Sequence, residues 1–260
     1  MKNLFILIVL SLFTLSFTFI KTDKPTLYLV GDSTVKNGNG RGNSDSLWGW
    51  GSVINQLFDT TKIAIQNHAI GGRSSRTFIT EKRWEKVLND LKAGDYVLIQ
   101  FGHNDAGALD DTARARGSIR GIGDSIKEIY NPIRKVQETV HSYGWYMRKY
   151  VKEAKEKGAI PIICSLVPRN DWTKDNKIKL STDSYALWAQ QIATEEGALF
   201  IDLNKNVASA YEKMGKEEVL KFFPKDHTHT NLTGAKLNAK VVAEGLKQLD
   251  KCDLKSYLIP

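Results

Sequence analysis

Cysteine is scarce in this chain: Cys164 and Cys252 are the only two in 260 residues. A disulfide-stapled scaffold is therefore excluded, since such folds need several bridges in a short chain. The pair leaves open one bridge in an oxidising compartment or two separate thiols. No G-x-S-x-G occurs, which excludes the nucleophile elbow of ordinary α/β-hydrolases. No internal repeat or low-complexity linker divides the chain, so one domain is expected. Although the formal charge is +8, no five basic residues stand in a row. A basic arm of the kind that grips nucleic acid is thus missing. The scattered lysines fit either a plain solvated surface or a general attraction to polyanions such as nucleic acid, anionic lipid or acidic polysaccharide.

What is present begins with a short basic start, Met1-Lys2-Asn3, and an apolar and hydroxyl run from Leu4 to Ile20. This pattern predicts a signal peptide over residues 1–22, with residues 23–260 forming a single domain. No clean Ala-x-Ala cleavage site follows the run, so an uncleaved anchor is the competing reading. The run is short for a hydrocarbon core of ~30 Å. No cysteine follows it to carry a lipid.

The segment that organises the remainder is Thr26 to Thr34, T-L-Y-L-V-G-D-S-T. Its apolar run breaks at Gly31 and delivers Asp32 and Ser33 where a strand should end. Further short strands are expected at Lys62–Ala69, Tyr96–Phe101, Ile160–Val167 and Ala198–Leu203. Helical spacing of apolar residues occurs over Ser74–Leu91, Tyr146–Lys157 and Ser181–Glu195, and near Val207–Met214. Asn231 is placed to cap a last helix through Leu249. Strands alternating with helices predict an α/β fold with a five-stranded parallel sheet covered on both faces. The polar segment 106–140 is long for a structureless connection and reads as a functional insertion over the site.

Polar clusters fall just after the strands or before the last helix, where α/β sheets meet their ligands. They are Gly31-Asp32-Ser33-Thr34, Gly71-Gly72, Gly102-His103-Asn104-Asp105 and Asp226-His227-Thr228-His229. Together they can supply acyl transfer. Ser33 attacks a carbonyl, His229 takes its proton, and Asp226 fixes the imidazole tautomer. Backbone N–H groups of Ser33 and Gly72, with the Asn104 amide, can hold the oxyanion. Taken singly, each cluster also has a plain structural reading as a turn, an Asx-turn or a helix cap. Asn231-Leu232-Thr233 matches a glycosylation acceptor but reads better as a helix start. A metal reading competes through His227-x-His229. It lacks an Asp-x-His at the first strand, and His103-Asn104 is transposed relative to the cluster of metallophosphoesterases.

At these residues the chain resembles the GDSL, or SGNH, hydrolase superfamily, named for a serine, glycine, asparagine and histidine that here would be Ser33, Gly72, Asn104 and His229. The resemblance runs from about Pro25 to Leu249. It implies a flavodoxin-like three-layer α/β/α sandwich, a triad of Ser33, Asp226 and His229, and an oxyanion hole of Ser33, Gly72 and Asn104. Within the superfamily the chain looks most like rhamnogalacturonan acetylesterases, which remove acetyl groups from a pectic polymer. Gly31-Asp32-Ser33-Thr34, Gly121-Ile122-Gly123, Tyr146-Met147-Arg148-Lys149-Tyr150 and Pro168-Arg169-Asn170-x-Trp172 carry that likeness. The resemblance thus implies a secreted or periplasmic serine esterase with no metal or organic cofactor. Its partner would be an acetylated acidic polysaccharide, with no nucleic acid and no stable membrane association after signal cleavage. Arg169, Trp172 and His103 are candidate substrate contacts, Arg169 facing a uronate carboxylate. Trp48 and Trp50 are read as core packing or as platforms for sugar rings. Acetylxylan esterases and broad short-chain esterases or lipases share the machinery, although segment 106–140 lacks the apolar run of a lipid-facing lid. A polysaccharide-binding protein on an inactive hydrolase fold is the non-enzymatic alternative.

Overall fold

The computed structural model describes residues 24–38 and 47–260. The leader, with its signal-peptide and anchor readings, lies outside the described residues. Five strands form one parallel sheet: β1 (Thr26–Gly31), β2 (Ala64–Asn67), β3 (Tyr96–Gln100), β6 (Ile160–Cys164) and β7 (Leu199–Ile201), in the order β2-β1-β3-β6-β7. The remaining two, β4 (Ile126–Asn131) and β5 (Val136–His141), pair antiparallel as a separate hairpin.

Strand side chains alternate between the faces. Leu27, Leu29, Leu98 and Ile162 pack on one side of the sheet, and Tyr28, Val30, Val97 and Ile163 on the other. The second face is covered by α1 (Ser75–Thr80), α2 (Arg83–Asp90), α3 (Tyr143–Glu156) and α4 (Tyr185–Glu195). The first is covered by α5 (Leu203–Met214), α7 (Leu232–Lys247) and the 3-10 turns around Trp50 and Ile54, with α6 (Lys216–Leu220) at the margin. This is the expected three-layer α/β/α sandwich. Each fully buried Leu, Ile or Val contributes about 1.5–3 kcal/mol through removal from water.

Several expectations are corrected. The helix read over Ser74–Leu91 is two helices, broken at Lys82, whose φ of 57° is left-handed. Arg73 and Arg83 both hold the Glu81 carboxylate there, at 3.0 and 2.6 Å. The break turns Trp84 toward α3, where its indole donates to Glu153 at 2.7 Å and its ring meets Tyr150 edge-on. Helix α3 starts earlier than expected because Ser142 caps it, accepting from Trp145 N. Helix α4 starts later, since Ser181 N is taken by Asn204 Oδ1 and its hydroxyl by Ser184. Segment 106–140, too long for a structureless connection, carries the β4–β5 hairpin in its second half. Cys164 and Cys252 are both buried and unbridged, and burial pushes both thiols up, so neither is poised as a nucleophile. Trp50 is 1% exposed with its indole donating to Gln100, which settles it as a core residue. Trp48 exchanges main-chain and side-chain bonds with Thr230, and its ring lies against Gly38.

Candidate active site

Strand register places the site. Gly31 pairs with Gln100, so β1 and β3 end level and deliver Ser33 and Asn104 to one rim. Beyond Gly31 the chain turns back, with the N–H groups of Val35 and Lys36 donating to the Asp32 carbonyl. That turn leaves Ser33 half-buried.

The loop before α7 brings the base. Asn231 caps α7, accepting from Gly234 N, and its own amide donates to Lys221 O. Thr230 donates to the Trp48 carbonyl at 2.9 Å. Held from both sides, His229 points its Nε2 at Ser33 Oγ across 2.8 Å, and its Nδ1 meets Asp226 Oδ2 at 2.7 Å. The other oxygen of Asp226 accepts from the N–H groups of Thr228 and His229. Burial pushes the Asp226 carboxyl up, but these bonds from His229 and Thr228 hold it below the ordinary carboxylate range. An ionised Asp226 can only accept, which assigns the hydrogen to Nδ1 and leaves Nε2 bare toward the hydroxyl. Sequence positions 33, 226 and 229 thus converge in one hydrogen-bonded row.

The oxyanion side is equally ordered. Among the described residues, neither Ser33 N nor Gly72 N donates to a protein acceptor, so both are free to receive a ligand oxygen. Gly72 sits at φ +79°, a backbone conformation that is strained for a residue with a side chain. Three successive carbonyls behind this loop are pinned by side chains. Arg73 donates to Gly71 O at 3.0 Å, Arg116 to Gly72 O at 3.2 Å and Asn104 Nδ2 to Arg73 O at 2.8 Å. Asn104 spends one amide hydrogen on that bond and keeps the other. Its loop is anchored by the neighbouring Asp105, which is fully buried and accepts from Ser75 and Ser118. Burial pushes the Asp105 carboxyl up to about 6 against those hydrogen bonds. Segment 106–140 meets the site here through Arg116, which contacts the loop from the side.

Asn104→Ala should lower kcat on a small ester by about 10²–10³, the usual effect of losing one preorganised donor. Steady-state kinetics on p-nitrophenyl acetate, with circular dichroism to confirm the fold, measures this. A drop of less than threefold would take Asn104 out of the oxyanion set.

The candidate substrate contacts fare unequally. Arg169 donates to Thr228 Oγ1, next to His229, at 2.7 Å and to His227 Nε2 at 3.0 Å. His227 in turn holds Asp171 through Nδ1 at 2.8 Å. The two histidines weighed as a metal pair therefore have different partners. Among the described residues, no group of three or more His, Cys, Asp and Glu side chains is placed to share a metal ion. Arg169 borders a cavity of about 300 Å³ together with Gly102, Arg120, Lys179 and Tyr185. Past the end of β2, Gly72, Arg73, Arg114 and Arg116 border a second of about 390 Å³. Trp172 borders neither; its indole donates to Asn170 and it packs against the core beside α5. His103 borders the first cavity, but its polar atoms are turned away from it. Its side chain is 3% exposed, and both ring nitrogens are engaged by Asp32 and the Val167 carbonyl. Arg73, Arg116 and the Asp32–His103 contact were not foreseen.

Known proteins resemble this chain in sequence and in fold. The GDSL-like Lipase/Acylhydrolase family matches residues 29–237. A rhamnogalacturonan acetylesterase of Emericella nidulans is 36% identical over 215 residues, covering 82% of this chain and 81% of its own. A probable rhamnogalacturonan acetylesterase of Bacillus subtilis is 31% identical over 229 residues, covering 86% and 93% respectively. Among solved structures, the Bacillus subtilis protein YxiM superposes with a TM-score of 0.70 at 26% identity, over 87% of this chain and 57% of that longer one. With the family matched across most of its length and a sheet and rim of the kind described, the chain belongs to the GDSL-like lipase/acylhydrolase family.

Proposed function

We propose that this protein is a secreted serine carbohydrate esterase that removes acetyl groups from a pectic polysaccharide, most specifically rhamnogalacturonan. The single observation that carries the reading is the 2.8 Å contact of His229 Nε2 with Ser33 Oγ, with Asp226 behind the ring. In this reading Ser33 Oγ adds to the acetyl carbonyl while its proton passes to His229 Nε2. The negative oxygen meets the N–H groups of Ser33 and Gly72 and the free amide hydrogen of Asn104. Collapse breaks the ester bond, and the sugar hydroxyl leaves with the proton from His229. Water then attacks acetyl-Ser33, gives a proton to His229, and acetate leaves as Ser33 recovers it. Asp226 stabilises the imidazolium at both stages.

The substrate assignment rests on the two relatives named for rhamnogalacturonan and on the charge around the rim. Two hollows lie on the rim, one past β3 and β6 bordered by Arg120, Arg169 and Lys179 and the other past β2 bordered by Arg73, Arg114 and Arg116, and β1, which leads to Ser33, stands between β2 and β3 in the sheet. An acidic polymer crossing Ser33 would meet cations on both sides. Secretion rests on the leader alone, with its short basic start and apolar run.

Acetate release from acetylated rhamnogalacturonan, homogalacturonan, xylan and short-chain model esters tests the substrate. A preference of at least tenfold in kcat/KM for the first is expected. Equal rates on all would make the protein a broad short-chain esterase, and a preference for xylan would make it an acetylxylan esterase.

A further inference from the structure

Beneath Ser33 runs a buried polar chain in which nearly every hydrogen can be assigned from chemistry alone. Trp50 Nε1 can only donate, and it reaches Gln100 Oε1 at 2.9 Å. That fixes the Gln100 amide, so Nε2 is the atom that donates to Thr34 Oγ1 at 2.7 Å. Having accepted there, the Thr34 hydroxyl gives its own hydrogen to Asp32 Oδ1 at 2.8 Å, and Thr34 N donates to the same oxygen at 2.8 Å. At the other end, the Val167 carbonyl can only accept, so His103 Nε2 carries a hydrogen toward it across 2.9 Å. One hydrogen remains to place, in the 3.0 Å contact of His103 Nδ1 with Asp32 Oδ2.

We infer that Asp32 and His103 form a buried charged clamp that positions the Ser33 loop, making His103 a positioning residue rather than a substrate contact. The inference rests on the reading of Ser33 as nucleophile. The geometry supports it at three points. Asp32 directly precedes Ser33 and is 0% exposed, so any shift of its carboxylate moves the nucleophile. The chain ties together the ends of β1, β3 and β6 through Asp32, Gln100 and Val167, spanning the sheet positions that must stay level for the rim to work. It also gives Thr34 a duty: a leucine at that position could neither accept from Gln100 nor donate to Asp32. Burial pushes the Asp32 carboxyl up, but His103 opposite and the bonds from His103 and Thr34 hold it below the ordinary range. Asp105, Arg116 and Tyr143 are the other titratable groups close enough to interact with Asp32. With Nε2 already committed to the Val167 carbonyl, a hydrogen on Nδ1 facing Asp32 Oδ2 completes the clamp.

His103→Gln and Asp32→Asn test this on p-nitrophenyl acetate, beside the acetylated polymer and Ser33→Ala. Each variant should lose about 10- to 100-fold in kcat, the scale of a displaced nucleophile, with KM within twofold on both substrates. The double variant should be no worse than the poorer single one, since both changes break one clamp. Nitrogen-15 spectra of the unmodified protein should show His103 with hydrogens on both ring nitrogens at neutral pH, a result that needs no variant to fold. A bare Nδ1 overturns the charged clamp, as does unchanged kcat in His103→Gln. A KM that rises on the polymer alone would return His103 to the substrate contacts. If Ser33→Ala stays active, the functional reading fails first; if it is dead and His103→Gln is normal, the clamp alone fails.

Discussion

Ser33→Ala should abolish ester hydrolysis, with kcat on acetylated polymer and on p-nitrophenyl acetate falling by about four to six orders of magnitude. Loss of a triad nucleophile costs about that much where it has been measured by deletion of such groups. Little else should change. Ser33 Oγ has His229 Nε2 as its hydrogen-bond partner, and the Asp226–His229 bond and the polar chain below do not run through it. Thermal unfolding should therefore shift by no more than a surface substitution would cause. A serine-directed phosphonate should label the unmodified protein at Ser33 and leave the variant unlabelled. Retention of more than about a tenth of the activity would reject the acyl-enzyme route. An unlabelled but folded protein that still binds acidic glycan would be a binding module on a hydrolase fold.

The layered sheet and its rim were readable because each depends on a local pattern. Apolar runs stop at glycine or at polar clusters, and a strand that stops must hand over its next residues at the sheet's edge. Ser33, Gly72 and Asn104 follow three neighbouring strands in that way, and His229 precedes a capped helix that returns to the same edge. What was not readable depends on direction. His103 and Asn104 are adjacent in sequence, yet residues leaving a strand point to opposite sides. Asn104 stays in the rim with Arg73 O, while His103 goes inward to Asp32. Arg116 had no local signature either. It follows Arg114 by two positions in an unremarkable stretch, and its partner Gly72 lies 44 residues away. The β4–β5 hairpin escaped because its inward face mixes Ile129 and Val140 with Asn131 and Glu138, while Ile126, Tyr130 and Val136 are exposed, so apolar alternation is weak.

That hairpin is held by a charge, and removing the charge should have the largest stability effect. Arg76 is 0% exposed; its Nε meets Glu138 at 2.7 Å and its Nη1 donates to the carbonyls of Leu109 and Gly117. Glu138 is also held by Asn131 and Arg134, the latter at a longer 3.4 Å. Burial pushes the Glu138 carboxyl up, but Arg76, Asn131 and Arg134 bring it below the ordinary range. Arg76→Met leaves that carboxylate buried with its main partner gone, at a cost of about 3–5 kcal/mol. Urea denaturation at neutral pH measures the loss. The pH dependence gives a second check. A depressed carboxyl contributes stability above its unfolded pKa and loses it as pH falls through the folded value. The penalty in Arg76→Met should therefore shrink on acidification, when Glu138 protonates in both proteins. Arg76→Met with Glu138→Leu should recover much of the loss, because an apolar pair removes the stranded charge. Activity should follow the same order, since Arg76 fixes the Leu109 and Gly117 carbonyls on either side of Arg116, and Arg116 pins Gly72. A variant that keeps full stability, or one whose stability loss leaves kcat untouched, would separate segment 106–140 from the active rim.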